Sequence, residues 1–155
     1  SPLKLIIDLR KYSGGDQEGF LQFTRLFFPS PLYLTLKTKY QEERIPLGSD
    51  RPLAYRAVVI IDKSTQMYGE LLAALFKEYG RKHVTLVGNK TKGMISKLGQ
   101  YPLRDGSSIL LSEGVFLIKG KNPAQNGVNP DVKLNDQPSE KILERALALL
   151  DEIHD

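Results

Sequence analysis

Two hydroxyl side chains, Ser64 and Thr65, lie just after the apolar run 57–61, and four lysines lie in the segments around them. A hydroxyl beside a partly neutral lysine could act as a nucleophile with its general base in acyl transfer. A serine or threonine before a helix also has a structural use, because its oxygen accepts hydrogen bonds from the first N–H groups of the helix. The residue types therefore leave both interpretations open. The lysines in question are Lys63, Lys90, Lys92 and Lys97.

The two methionines of the chain occur in the same segments, Met67 shortly after Thr65 and Met94 shortly after Lys92. A thioether can neither attack a carbonyl nor accept a proton usefully at neutral pH. An isolated methionine is most often a flexible packing residue in the core. On residue type alone, Met67 and Met94 are therefore expected to fill space rather than to carry chemistry.

Composition argues against several classes of function. The chain has no cysteine and no pair of histidines at a metal-binding spacing, so we expect neither a metal site nor another cofactor. Its 22 basic and 18 acidic residues are intermixed, so a nucleic-acid surface is not expected either. No apolar run reaches the roughly 18 residues that a membrane span requires, and the first residues do not resemble a signal peptide.

The order of elements that would position these residues is typical of an α/β protein. Continuous apolar runs predict strands that are covered on both faces, and apolar residues at three- or four-residue spacing predict the helices between them. We therefore predict one domain over residues 1–155, with a mainly parallel sheet covered by helices. The segment 41–52 is polar and is predicted to be a loop. The predicted strands are 3–8, 32–38, 57–61, 84–87, 107–111 and 115–118, and the predicted helices are 17–28, about 66–79 and 138 to about 153.

Four stretches of the chain carry motifs in a fixed order, namely residues 5–15, 58–70, 79–93 and 103–131. The first is an apolar strand followed by Asp-Leu-Arg and the paired glycines, and the second is a strand that leads into the turn before Glu70. Each motif alone is weak, since paired glycines and Asp-Gly-Ser occur in many turns. Their order and spacing together are specific, and they resemble the motifs of the C-terminal processing (tail-specific) serine peptidases.

The resemblance implies a catalytic core with a fold like that of the Clp protease and crotonase group. In active members, a serine at the start of a helix attacks the substrate and a lysine from the next loop serves as its base. The serine position falls on Met67, the lysine position on Met94, and the position of a supporting glutamine on Leu98. The resemblance therefore implies that the catalytic residues are lost.

The resemblance also implies which backbone groups would face a substrate carbonyl oxygen. Gly14 and Gly15 match the paired-glycine loop, where the missing Cβ lets the backbone approach a substrate. Tyr68 follows the nucleophile position at the start of the helix, where free N–H groups favour an oxyanion. We expect these three residues to supply oxyanion-type N–H groups.

The function predicted from these residues is that of an inactive peptidase relative that binds peptides or protein C-terminal segments. One alternative is an active serine hydrolase that uses Ser64 or Thr65. A second is a binder of a small apolar ligand in a closed pocket around Met67, Met94 and Leu98. The resemblance further implies a location in the periplasm or cell envelope, a possible homo-oligomer, and an upstream PDZ domain of a longer parent protein, of which this chain would be a fragment.

Overall fold

The structure of the protein is a computed structural model that describes residues 1–123 and 125–153. Within these residues there are eight strands and three helices. The strands are β1 (Leu3–Asp8), β2 (Tyr33–Thr38), β3 (Glu42–Pro46), β4 (Tyr55–Ile61), β5 (Val84–Gly88), β6 (Lys97–Pro102), β7 (Ser108–Leu117) and β8 (Val132–Lys133). The helices are α1 (Gln17–Phe27), α2 (Tyr68–Tyr79) and α3 (Ser139–Glu152).

Four strands form a parallel sheet in the order β1-β4-β5-β8. At its carboxyl edge, Asp8 lies opposite Ile60, and Ile61 lies opposite Gly88. Parallel neighbours need crossover connections, and α1 and α2 lie in the connections from β1 to β4 and from β4 to β5. This arrangement confirms the predicted α/β fold. It also brings the segments that follow β1, β4 and β5 to one edge of the sheet.

The central strand β4 is buried on both faces, which explains its uninterrupted apolar sequence. Ala57, Val59 and Ile61 pack on one face, in the core that α1 and α2 cover. Val58 and Ile60 pack on the other face, against α3. The parallel sheet therefore separates α1 and α2 from α3.

A second sheet is antiparallel, with the order β3-β2-β7-β6, and it corrects several predictions. The segment 41–52 is not all loop, because β3 pairs with β2 and buries Ile45. The strands predicted at 107–111 and 115–118 are one strand, β7, because its first half pairs with β6 and its last residues pair with β2. Strands β6 and β8 were not predicted from the sequence.

Helix α2 begins at Tyr68, two residues later than predicted, because Met67 does not have a helical backbone. Helix α1 is capped by Asp16, whose carboxylate accepts a hydrogen bond from the N–H of Gly19 at 2.7 Å. Across residues 1–123 and 125–153, no helix has the length and apolar character that a membrane crossing needs.

Candidate functional site

Met67 forms a tight turn between β4 and α2. Its backbone has φ +54° and ψ −125°, a conformation that residues with a Cβ rarely adopt and that costs on the order of 1–3 kcal/mol. The N–H of Met67 donates a hydrogen bond of 2.8 Å to the carbonyl of Met94. The structure therefore places the backbones of the two methionines side by side in a strained turn.

The side chains of Met94 and Leu98 lie at the surface, with 46% and 39% of their area exposed. Met67 is half-buried. None of the three side chains carries a nucleophile or a base. Because Met94 and Leu98 are so exposed, they present an apolar surface beside the turn and do not enclose a cavity.

The backbone N–H of Tyr68 lies at the start of α2. The structure shows no hydrogen-bond acceptor for this N–H among the described residues. Its side chain stacks on Phe20 of α1, with ring centroids 5.0 Å apart. Burial, together with the nearby Asp16 and Tyr12, raises the pKa of the Tyr68 hydroxyl above its ordinary value. The packed ring therefore holds the N–H of Tyr68 in a fixed position.

Tyr12 lies between the paired glycines and the first turn of α2. Its carbonyl accepts a hydrogen bond of 3.1 Å from the N–H of Gln66. A Cβ on Gly69 would be 2.9 Å from Cδ1 of Tyr12, and a Cβ on Gly15 would be 2.5 Å from its hydroxyl oxygen. The ring of Tyr12 therefore occupies the space between two of the segments that the sequence analysis assigned to the site. Tyr12 was not predicted as a site residue, because its position depends on contacts between distant segments.

Gly14 and Gly15 are the predicted donors on the other side of Tyr12. Nothing lies within 4 Å of the position that a Cβ on Gly14 would take. The N–H groups of both glycines are without an acceptor in the part of the chain that the structure describes. The loop therefore leaves these two N–H groups free to donate to an added carbonyl or carboxylate oxygen.

Glu70 holds the Met94 segment against α2. Its carboxylate is fully buried and accepts hydrogen bonds from the N–H groups of Gly93 and Met94, at 2.6 Å and 2.7 Å. It also accepts one from the hydroxyl of Thr91 at 2.5 Å. The hydroxyl oxygen of Thr91 in turn accepts from the N–H of Val128 at 2.7 Å. One carboxylate thus fixes the loop that carries Met94 beside the turn of Met67.

Thr65 is fully buried, and its hydroxyl is used within the fold. The hydroxyl donates to the carbonyl of Leu9 at 2.8 Å and accepts from the N–H of Asp62 at 3.0 Å. Ser64 is exposed, and its N–H donates to the carboxylate of Asp62 at 2.9 Å. Among the described residues, the hydroxyl of Ser64 has no hydrogen-bond partner that could act as its base. Lys63, its nearest lysine in sequence, is also exposed.

Asp8 and Arg10 form an ion pair at the end of β1, with Nη2 of Arg10 2.6 Å from Oδ2 of Asp8. Partial burial raises the pKa of Asp8, but the hydrogen bonds and the charge of Arg10 outweigh that effect and hold the pKa below its ordinary value. Nη1 of Arg10 donates to the hydroxyl of Ser139 at 2.9 Å. The pair therefore connects the end of β1 to the start of α3. Over residues 1–123 and 125–153, the structure shows no group of three metal-binding side chains.

A model of the protein family described as Peptidase family S41 matches residues 2–134 of the chain. The match covers both methionine segments, the paired glycines and all eight strands of the two sheets.

Solved structures share the fold. The photosystem II D1 C-terminal processing protease superposes with a TM-score of 0.71 and 22% identity, over 94% of this chain and 38% of that protein. A Bacteroides fragilis protein assigned to the S41 proteases superposes with a TM-score of 0.79 and 19% identity, over 99% of this chain and 46% of that protein. A lipoprotein from Streptococcus agalactiae superposes with a TM-score of 0.74 and 18% identity, over 97% of this chain and 55% of that protein. The chain thus spans between 38% and 55% of the length of these three proteins.

Proposed function

Because the chain belongs to peptidase family S41, we propose that it binds an extended peptide at the Met67 turn without cleaving it. The observation that carries this proposal is the backbone of Met67, which keeps a strained conformation although its side chain is a thioether. Strain of this kind persists only where the surrounding structure imposes it, and it is concentrated at functional sites. The turn therefore retains the form of a catalytic turn without its reactive group.

Hydrolysis needs a nucleophile and a base that this turn does not contain. Met67 and Met94 stand at the two positions concerned, and a thioether can take neither role. The hydroxyl of Thr65 donates its hydrogen to the carbonyl of Leu9, so this hydroxyl does not serve as a nucleophile. We therefore expect peptides to be bound and released intact.

Peptide binding is supported by polar and apolar groups next to one another. The N–H groups of Gly14, Gly15 and Tyr68 can donate hydrogen bonds to carbonyl oxygens of a bound main chain. Strand β6, which begins three residues after Met94, is at the edge of its sheet, and no strand among the described residues pairs with its outer side, so that side could accept an added strand. The exposed side chains of Met94 and Leu98 would contact apolar side chains of the peptide.

A binding experiment tests the peptide-binding part of the proposal. Fluorescein-labelled, unfolded casein is titrated with the protein, and fluorescence anisotropy is followed. We expect saturable binding, and at least a tenfold loss of affinity in the double variant Met94→Glu with Leu98→Glu, because each buried apolar contact is worth about 1–2 kcal/mol.

The matched control is Leu143→Glu with Leu147→Glu. These residues are 44% and 51% exposed on the outer face of α3, and the substitutions change the net charge by the same amount. We expect this control to leave binding unchanged. Equal losses in the two double variants, or no saturable binding at all, would contradict the proposed site.

A cleavage experiment tests the loss of hydrolysis. The variant Met67→Ser with Met94→Lys restores both reactive groups on a turn whose backbone is already in place. We expect it to cleave casein at a rate detectable by mass spectrometry, while the unmodified chain and Met67→Ala with Met94→Lys do not. Cleavage by the unmodified chain at the rate of the restored variant would show that our interpretation of both methionines is wrong.

The two alternative functions predict other results. An active site at Ser64 predicts that a fluorophosphonate probe labels the unmodified chain and that Ser64→Ala abolishes the labelling. A small apolar ligand predicts a bound molecule in the purified protein, although the exposure of Met94 and Leu98 does not favour a closed pocket there.

A further inference from the structure

A cavity of about 740 Å³ lies at the carboxyl edge of the parallel sheet, between the sheet and α3. Its walls include Asp8 at the end of β1, Ile61 at the end of β4, Lys133 in β8, and Ser139 and Ile142 of α3. This is the edge at which α/β sheets most often bind ligands, and the volume suits a small molecule. The cavity is distinct from the proposed peptide site, because none of the residues of that site lines it, namely Gly14, Gly15, Met67, Tyr68, Met94 and Leu98.

The cavity carries an excess of positive charge. Five basic and three acidic side chains line it, which leaves two positive charges uncompensated. Asp8 is paired with Arg10, and Asp62 accepts hydrogen bonds from the N–H groups of Ser64 and Thr65. The basic residues are Arg10, Lys11, Lys63, Lys90 and Lys133.

The four lysines of the cavity form no ion pair with any residue that the structure describes. Lys90 lies in the glycine-bounded segment 88–93, in which Thr91 and Gly93 are held by Glu70. Arg10 is held in place by Asp8 and Ser139 through three of its five N–H groups, Nε–H and one each from Nη1 and Nη2, so two remain for a ligand. The cavity therefore combines one fixed guanidinium with several adaptable ammonium groups.

We propose that this cavity binds a small phosphate-bearing dianion. A phosphate ester carries up to two negative charges and three strong acceptor oxygens near neutral pH, which matches the two uncompensated charges. The free N–H groups of Arg10 suit the tetrahedral oxygens of phosphate, and Asn89 adds an amide donor to the wall. The remaining cavity volume would hold the organic part of the ligand.

The test uses ribose 5-phosphate and inorganic phosphate as separate probes, titrated at pH 8 and low salt with ¹⁵N-labelled protein. We expect at least one probe to bind saturably and to shift the amide signals of Lys90 and Lys133. Tighter binding of ribose 5-phosphate would identify an organic phosphate as the ligand, and equal or tighter binding of inorganic phosphate would identify the free ion.

The site variant is Lys63→Gln with Lys133→Gln, and the control is Lys39→Gln with Lys82→Gln. All four lysines are exposed, and each pair of substitutions removes two charges. We expect about a tenfold loss of affinity in the site variant and little change in the control. The proposal is overturned if neither probe saturates by about 10 mM, or if both double variants bind as the unmodified chain does or lose affinity equally.

Discussion

The substitution Glu70→Gln is expected to lower the free energy of unfolding by about 3 kcal/mol, a large share of the stability of a domain of this size. The carboxylate is fully buried and every group around it is a donor, namely the hydroxyl of Thr91 and the N–H groups of Gly93 and Met94. Glutamine has one acceptor oxygen and places an NH₂ group where the second oxygen was. At least one donor would then face another donor in a buried position.

Which donor loses its acceptor follows from the geometry. Oε1 of Glu70 accepts from Thr91 and Gly93, whereas Oε2 accepts only from Met94. The amide introduced by the substitution costs least if its nitrogen replaces Oε2. The N–H of Met94 would then be unpaired, and we expect its hydrogen exchange to accelerate more than that of the rest of the loop.

The matched control is Glu78→Gln on the same helix. The side chain of Glu78 is 34% exposed and pairs with Lys119, whose own side chain is 59% exposed, so its substitution is expected to cost less than about 1 kcal/mol. Urea unfolding monitored by circular dichroism measures both variants. If Glu70→Gln lost no more stability than Glu78→Gln, the carboxylate would not be what holds the Met94 segment beside the turn.

The parallel sheet could be predicted from the sequence because its strands are buried on both faces. Burial of this kind requires apolar residues without interruption, as in β4, and such a run is visible in the sequence. The antiparallel sheet is different, because β6 and the first half of β7 are largely exposed. Exposed strand residues need not be apolar. These segments become strands because they pair with each other, and such pairing cannot be recognised in the local sequence.

The site could be predicted in part. The order of the sequence motifs indicated that the segments of Met67 and Met94 form one site. In the structure, the backbones of these two residues are joined by a hydrogen bond of 2.8 Å. The positive φ of Met67 could not be predicted, because the side chain itself disfavours that conformation. The position of Tyr12 depends in the same way on contacts between distant segments. Glu70 was visible as a motif residue, but its three hydrogen bonds depend on how the loop 91–94 folds over α2.

Gly88→Ala is expected to cost at least about 3 kcal/mol, because two unfavourable effects occur at one residue. Gly88 ends β5 with φ +119°, and a Cβ there would be 2.1 Å from the carbonyl oxygen of Ile61 in β4. That oxygen also accepts a hydrogen bond of 3.0 Å from the N–H of Asn89. Neither strand can move away without breaking hydrogen bonds at the carboxyl edge, where the proposed peptide site and the basic cavity both lie.

Gly106→Ala separates the two effects. Gly106 has φ +86°, but nothing lies within 4 Å of the position that its Cβ would take. This substitution is therefore expected to cost only the backbone strain, about 1 kcal/mol. Urea unfolding of both variants measures the difference, which we assign to the contact between Gly88 and Ile61. Equal losses would mean that β4 and β5 can separate locally at little cost, and the carboxyl edge would then be too compliant to hold the turn of Met67 in its strained conformation.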